Sequence, residues 1–322
     1  MRPLLLLFVA VSVFAADDTK LRIHELGKPG ADKLADLPAR YATFMSQGYG
    51  ASMPNPVFRL SDLAFLPEGR RERLDLYVSY RRDFKVRRPG VLFIHGGGFT
   101  GGDKAEYRTA SVSADLARAG YVVVSCNYVL GPKDKAGVWP RNIADCRDAV
   151  RWMRANADAL GLDPDRIAVA GGSAGGHLAA SVATLPGLDD AKDDKSVSCL
   201  PNALVLYNPG TVMAPFPGLD LKGFGAGLDK SKFGCEPTEI SPLHHVKKGT
   251  PPTIIFHGKA DTTVPYSTVE KFTEVMKAAG NRCELVGYEG QPHGFFNKAK
   301  YAETLAATDA FLVSLGYLPA KK

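Results

Sequence analysis

Four stretches of the 322-residue sequence hold residue types that can do chemistry together. Ser173 sits in Gly171-Gly172-Ser173-Ala174-Gly175, a G-x-S-x-G pattern between an apolar run and a helix-like run. A serine on a sharp strand-to-helix turn takes a strained backbone, so the residues two away must lack a Cβ. The helix that follows aims its N-terminal N–H groups back at the hydroxyl. A serine hydroxyl is barely nucleophilic at neutral pH and needs a base, which His293 supplies as an imidazole. The other imidazole nitrogen needs an acceptor that also stabilises the imidazolium, and Asp261 fits that need. The developing oxyanion needs backbone donors. Ala174 N–H follows the nucleophile directly, and Gly97 and Gly98 in His95-Gly96-Gly97-Gly98 let the backbone approach a substrate closely. The chemistry implied is acyl transfer through Ser173, Asp261 and His293, with no metal or organic cofactor required.

Each residue alone has a plainer reading. Asp261 can be a turn carboxylate that caps the next helix, His293 a surface turn residue, and the glycines a tight turn. Their joint occurrence in the order Ser, Asp, His, each at a strand end, favours catalysis. The other histidines keep structural readings: His177 as a packed helix residue, His257 as a structural hydrogen-bonder, His95 as a brace for the glycine loop. His244 and His245 are adjacent and so do not share a face, which argues against a metal pair. Asp145 and Asp148 read as solvated or salt-bridged helix residues.

The elements that must position these groups alternate in type. Residues 74–80 alternate as a half-buried strand, with Leu74, Leu76, Val78 and Tyr80 on one face and Asp75, Tyr77 and Ser79 on the other. Residues 91–94 and 121–125 are apolar runs typical of strands buried on both faces. Helices are predicted over 106–118, 142–158, 173–185, 267–279 and 301–315, and further strands over 166–170, 202–207, 253–257 and 283–288. Strands alternating with helices predict a doubly wound, mainly parallel sheet, in which the chemistry sits at the carboxyl ends of the strands. Residues 209–249 are too long for a plain connection, which predicts a functional segment.

The termini and composition set the remaining bounds. At 45% hydrophobic and 23% charged the chain can bury a large core. The net charge of +6 comes from scattered side chains without a dense basic run, which speaks against a nucleic-acid partner. Met1-Arg2-Pro3 and the apolar run at 4–13, too short to span a bilayer, read as a leader cut after Ala15. The expected organisation is a signal peptide at 1–15, an N-terminal lid or packing segment at 16–72, and a catalytic domain at 73–322, exported to the periplasm or medium without a membrane anchor. Of five cysteines, Cys126 and Cys146 read as core residues, and Cys199 with Cys235 as the expected disulfide.

With these residues in view, the chain resembles the α/β-hydrolase family. His95-Gly96-Gly97-Gly98-Phe99 with Gly171-Gly172-Ser173-Ala174-Gly175-Gly176-His177 is similar to the hormone-sensitive-lipase-like esterases. The run Gly98-Phe99-Thr100-Gly101-Gly102-Asp103-Lys104 is closer still to secreted bacterial acetyl-xylan and feruloyl esterases. Ser241-Pro242, Pro251-Pro252-Thr253, His257-Gly258, Asp261, Val264-Pro265 and His293-Gly294-Phe295 fit the family's C-terminal pattern, so the resemblance covers roughly residues 74–315. It implies an α/β-hydrolase fold with a small lid built from the N-terminal segment and 209–249. It also implies a Ser173 nucleophile, an Asp261/His293 pair, and an oxyanion hole from Gly97, Gly98 and Ala174. The activity implied is hydrolysis of short acyl esters, such as acetyl or feruloyl groups on plant polysaccharide. A lipase, a prolyl-oligopeptidase-type peptidase and an inactive binding protein on the same fold stay open as alternatives, although residues 17–72 are too few for the propeller such peptidases usually carry.

Overall fold

The structure, a computed structural model, describes residues 21–26, 34, 36–46, 55–131, 138–221 and 234–320. The expected leader at 1–15 lies outside the described residues, as do 222–233 within the expected roof segment. In chain order the elements are β1 (Ile23–Glu25), α1 (Leu37–Ser46), β2 (Val57–Leu63), β3 (Leu74–Ser79), β4 (Arg88–Ile94), α2 (Tyr107–Ala119), β5 (Val122–Cys126), α3 (Arg141–Ala155), α4 (Ala157–Leu160), β6 (Leu162–Gly172), α5 (Ala174–Thr184), β7 (Ala203–Tyr207), β8 (Thr253–Gly258), α6 (Tyr266–Ala278), β9 (Cys283–Tyr288) and α7 (Tyr301–Ser314). Short 3-10 turns at Pro237–Ile240, Pro242–His245 and Phe295–Asn297 interrupt the long connections.

The described strands form one nine-stranded sheet in the order β1-β2-β3-β5-β4-β6-β7-β8-β9. Pairing is antiparallel where β3 meets β2 and β5, and parallel everywhere else. Consecutive strand residues point to opposite faces, so Leu92 and Ile94 join one core while Val91 and Phe93 join the other. Helices α1, α3, α5 and α6 cover the first face, and α2 and α7 the second. The parallel register brings Ile94 beside Gly171, Gly172 beside Tyr207, and Gly258 beside Tyr288. The carboxyl ends of β4, β6, β7, β8 and β9 therefore share one edge.

Three expectations need correction. The segment 16–72 is not only a lid or packing segment: β1 and β2 extend the sheet beyond β3, so the sheet begins well before residue 73. Arg59 and Asp62 interrupt the apolar pattern of β2, while Val57, Phe58, Leu60 and Leu63 are buried. Strand β3 is buried along its whole length rather than on one face, because α2 covers the side that carries Asp75 and Tyr77. The Cys199–Cys235 disulfide is not formed, since all five cysteines are thiols. Cys199 Sγ lies 3.9 Å from Asp189 Oδ1 instead.

A buried polar network ties the glycine loop after β4 to its neighbouring strands. Lys104 Nζ donates to Asp75 Oδ1 at 2.7 Å and to Asp62 Oδ1 at 2.9 Å. Its backbone N–H donates to Asn127 Oδ1, its carbonyl accepts from Ser125 Oγ, and Asn127 Nδ2 donates to Asp103 Oδ2. Burial pulls the Lys104 ammonium down, but the two carboxylates outweigh it and keep the charge. Truncating one partner of a buried ion pair strands the other charge. Asp75→Ala is therefore expected to cost about 3–5 kcal/mol in a urea unfolding titration, and a loss below about 1 kcal/mol, the range of exposed pairs, would contradict that reading.

Candidate active site

Ser173 stands at the junction of β6 and α5 with φ 56° and ψ −119°, a conformation that costs a non-glycine residue about 1–3 kcal/mol. Its surroundings hold it there. Ser173 N–H donates to Tyr207 O at 2.9 Å, and Ser173 O accepts from His177 N–H at 3.0 Å. The turn is too tight for side chains on the flanking glycines: a Cβ on Gly175 would lie 2.1 Å from Ile94 O. The G-x-S-x-G spacing is thus a packing requirement between α5 and the end of β4.

His293 and Asp261 reach the serine from the ends of β9 and β8. His293 Nε2 is 2.9 Å from Ser173 Oγ, and His293 Nδ1 is 2.7 Å from Asp261 Oδ2. A carboxylate only accepts, so Nδ1 carries the proton and Nε2 accepts from the serine hydroxyl. The Asp261 side chain is fully buried. Its Oδ1 accepts from Thr263 N–H at 2.8 Å and Val264 N–H at 2.9 Å. Burial alone would raise its pKa, but the His257 and His293 imidazoles and the Val264 N–H outweigh burial and hold the carboxyl well below the usual carboxylate range.

Gly97 and Gly98 have φ of 116° and 62°, which turns the loop after β4 back over the serine. Neither N–H donates to a backbone carbonyl of the described residues. Both glycines line a cleft of about 390 Å³ that also contains Ser173 and His293. Phe93 and Phe296 are its apolar lining residues, whereas Glu106, Arg108, Asn208, Thr263 and Asn297 are polar. A hydroxyl, an imidazole tautomer poised to take its proton and unengaged N–H groups meet in one cleft, with the buried acid behind the imidazole. This set can add a serine oxygen to a carbonyl carbon and stabilise the charge that forms.

A family model described as the alpha/beta hydrolase fold matches residues 91–297, from β4 through the His293 loop. The chain belongs to the α/β-hydrolase fold family. Among curated proteins it is similar to Esterase LipC of Mycobacterium tuberculosis, 30% identical over 253 residues that cover 74% of this chain and 61% of that protein. Carboxylesterase NlhH of the same species is 34% identical over 230 residues, 66% of this chain and 67% of that protein. The chain thus spans less than two thirds of the length of LipC. Among solved structures, the thermophilic esterase Est2 of Thermogutta terrifontis superposes with a TM-score of 0.72 at 38% identity, covering 79% of this chain and 91% of that one.

In this α/β hydrolase the remaining histidines take supporting positions. His95 Nδ1 donates to Gly96 O at 2.7 Å, its ring stacks on Tyr128 at 4.4 Å, and burial pulls its pKa down. It braces the glycine loop, as expected. His177 is fully buried, pairs with Gly210 O and Ser181 Oγ, and is driven down to about 4 by burial. His244 hydrogen-bonds Ser241 Oγ and Pro215 O, and His245 hydrogen-bonds Thr238 O. Among the described residues no group of three side chains could hold a metal ion, and no helix is long and apolar enough to cross a membrane. Asp145 is buried rather than solvated, with its Oδ2 bound to Arg70 Nη2 at 2.7 Å. Asp148 pairs with Arg151 at 2.9 Å.

Sequence reasoning missed Asn208. It follows β7 directly with φ 35°, and its Oδ1 accepts from Gly294 N–H at 3.0 Å. Its Nδ2 lies 3.4 Å from His293 Nε2. Asn208 therefore fixes the loop that carries the histidine. Its place at a strand end, between the serine strand and the acid strand, was the available signal.

Proposed function

We propose that the protein is a serine carboxylesterase that hydrolyses short acyl esters. The observation that carries this reading is the unbroken line of contacts from Ser173 Oγ through His293 to Asp261 Oδ2, at 2.9 Å and 2.7 Å. Ser173 Oγ attacks the ester carbonyl carbon while its proton passes to His293 Nε2. The carbonyl oxygen, now an oxyanion, accepts from the N–H groups of Gly97, Gly98 and Ala174. Collapse of the tetrahedral intermediate breaks the bond to the leaving alkoxide, which takes the proton from His293. Water then adds to the acyl-enzyme, gives its proton to His293, and the acid leaves as Ser173 regains its hydrogen. Asp261 stays ionised throughout and steadies the imidazolium.

The finer reading is an exported enzyme acting on acetyl or feruloyl esters of plant polysaccharide. The small cleft supports a short acyl group, and structures of the Thermogutta esterase hold propionate and butyrate. Glu106, Arg108 and Asn297 support a hydroxylated alcohol, because together they offer acceptors and donors with little net charge. A chain-length series of 4-nitrophenyl esters, run beside acetylated xylan and methyl ferulate, tests both levels. We expect the highest kcat/KM on the shortest acyl groups. Arg108→Ala is expected to lower kcat/KM on acetylated xylan by about tenfold, the worth of one lost hydrogen bond to a charged donor, with 4-nitrophenyl acetate unchanged. A preference for long-chain triglyceride would point to a lipase, and cleavage of a Pro-4-nitroanilide to a peptidase.

A further inference from the structure

His257 closes off Asp261 from the core side and takes no part in the proton transfers described above. It lies in β8 and is fully buried. Its Nε2 is 2.9 Å from Val264 O and 3.3 Å from Asp261 Oδ2. Both oxygens only accept, so the proton is on Nε2, pointing chiefly at Val264 O with Asp261 alongside. Nδ1 is buried without a hydrogen-bond partner among the described residues. Val264 is thereby held from two sides: its N–H donates to Asp261 Oδ1 and its carbonyl accepts from His257. Asp261 Oδ2 in turn faces two imidazole N–H groups, His293 at 2.7 Å and His257 at 3.3 Å. The Tyr266 ring of α6 meets the His257 ring edge-on at 5.8 Å, Lys259 Nζ lies 5.7 Å from the centroid of that Tyr266 ring, and the strand partner of His257 on β9 is Gly287.

We infer that His257 is a positioning residue for acyl transfer, fixing the 261–264 loop and sharing Asp261 Oδ2 with His293. This rests on the esterase reading of Ser173, His293 and Asp261. A second donor on Oδ2 draws charge away from the contact with His293. It therefore moderates how strongly Asp261 holds the imidazolium formed in each half-reaction. Without that donor Asp261 favours protonated His293 more, and a protonated His293 cannot act as the base. The acid limb of the pH–rate profile then moves to higher pH.

The test is a pair of variants in the full chain, assayed on 4-nitrophenyl acetate from acid to neutral pH. His257→Phe keeps a ring and removes the N–H; His257→Gln keeps a donor. We expect His257→Phe to lose about tenfold in kcat, below the 10²–10⁴ supplied by a direct acid–base group, with KM held within about twofold. Its acid limb should move to higher pH, and His257→Gln should recover most of the rate and the original limb. A folded His257→Phe with the wild-type kcat and acid limb overturns the proposal, as does a loss confined to KM. If His257→Phe does not fold, His257→Leu, which also lacks the N–H, takes its place: the downfield proton resonance of His293 Nδ1–H should move in His257→Leu and stay near its wild-type position in His257→Gln, and a resonance unmoved in His257→Leu overturns the proposal. Failure of the esterase reading looks different, because the wild-type protein itself would neither turn over esters nor react with a fluorophosphonate at Ser173.

Discussion

Ser173→Ala is expected to lower kcat on 4-nitrophenyl acetate by about 10⁴–10⁶, equivalent to about 5–8 kcal/mol of lost transition-state stabilisation. The change removes one oxygen and leaves the cleft intact. Gly97, Gly98 and His293 still line it, so substrate affinity should change little and the residual rate should reflect the backbone donors and binding alone. Folding should also be nearly unchanged, because alanine meets the same strained φ of 56° and the backbone contacts to Tyr207 and His177 survive. Active-site titration with a fluorophosphonate gives the matching readout: stoichiometric labelling of the wild type and none of the variant. A Ser173→Ala protein that kept wild-type turnover would remove the serine from the reaction altogether.

Asp261→Asn carries the second largest expected effect, a loss of about 10⁴ in kcat. Its cause is directional. Oδ1 of Asp261 is pinned by the N–H groups of Thr263 and Val264. The asparagine oxygen must therefore occupy that position, which puts its NH₂ group where Oδ2 faced His293. A donor there forces His293 to accept at Nδ1 and carry its proton on Nε2, against the serine hydroxyl. The base is present but holds the wrong tautomer. The same substitution should change stability in acid. Asp261 has a depressed folded-state pKa, so its contribution is fully present above the unfolded carboxylate value of about 3.9 and is lost as pH falls below it. The gap in urea midpoint between wild type and Asp261→Asn should therefore be wide near pH 6 and narrower near pH 3. A gap that widened in acid would reverse the assignment.

The groups legible in the sequence are those whose position follows from strand ends. Ser173, Asp261 and His293 end strands in a parallel sheet, and a parallel sheet aligns its strand ends by construction. Gly97 and Gly98 were legible for the same reason. Asn208 is not singled out by the sequence, and His257 reads there only as a structural hydrogen-bonder, because their partners depend on what their side chains meet across the sheet edge. One reaches Gly294 N–H, and the other reaches the Val264 carbonyl. Periodicity read the outer face of β3 as solvated, since Asp75 and Ser79 alternate with apolar residues. The ion pair between Asp75 and Lys104 makes burial of that face tolerable, and these partners are far apart in sequence. β2 went unread because Arg59 and Asp62 fall inside a short strand whose pairing partner, β3, is itself unusual in running antiparallel.

The backbone at Ser173 has a consequence for attempts to make the protein more robust. A left-handed φ of 56° at a residue with a side chain is a standing local cost of about 1–3 kcal/mol, which glycine at the same position would not incur. Laboratory selection for heat resistance or soluble yield alone rewards relief of that cost, and the easiest relief erases the hydroxyl. Hardening this molecule without disarming it calls for a screen that reads turnover and persistence in the same clone.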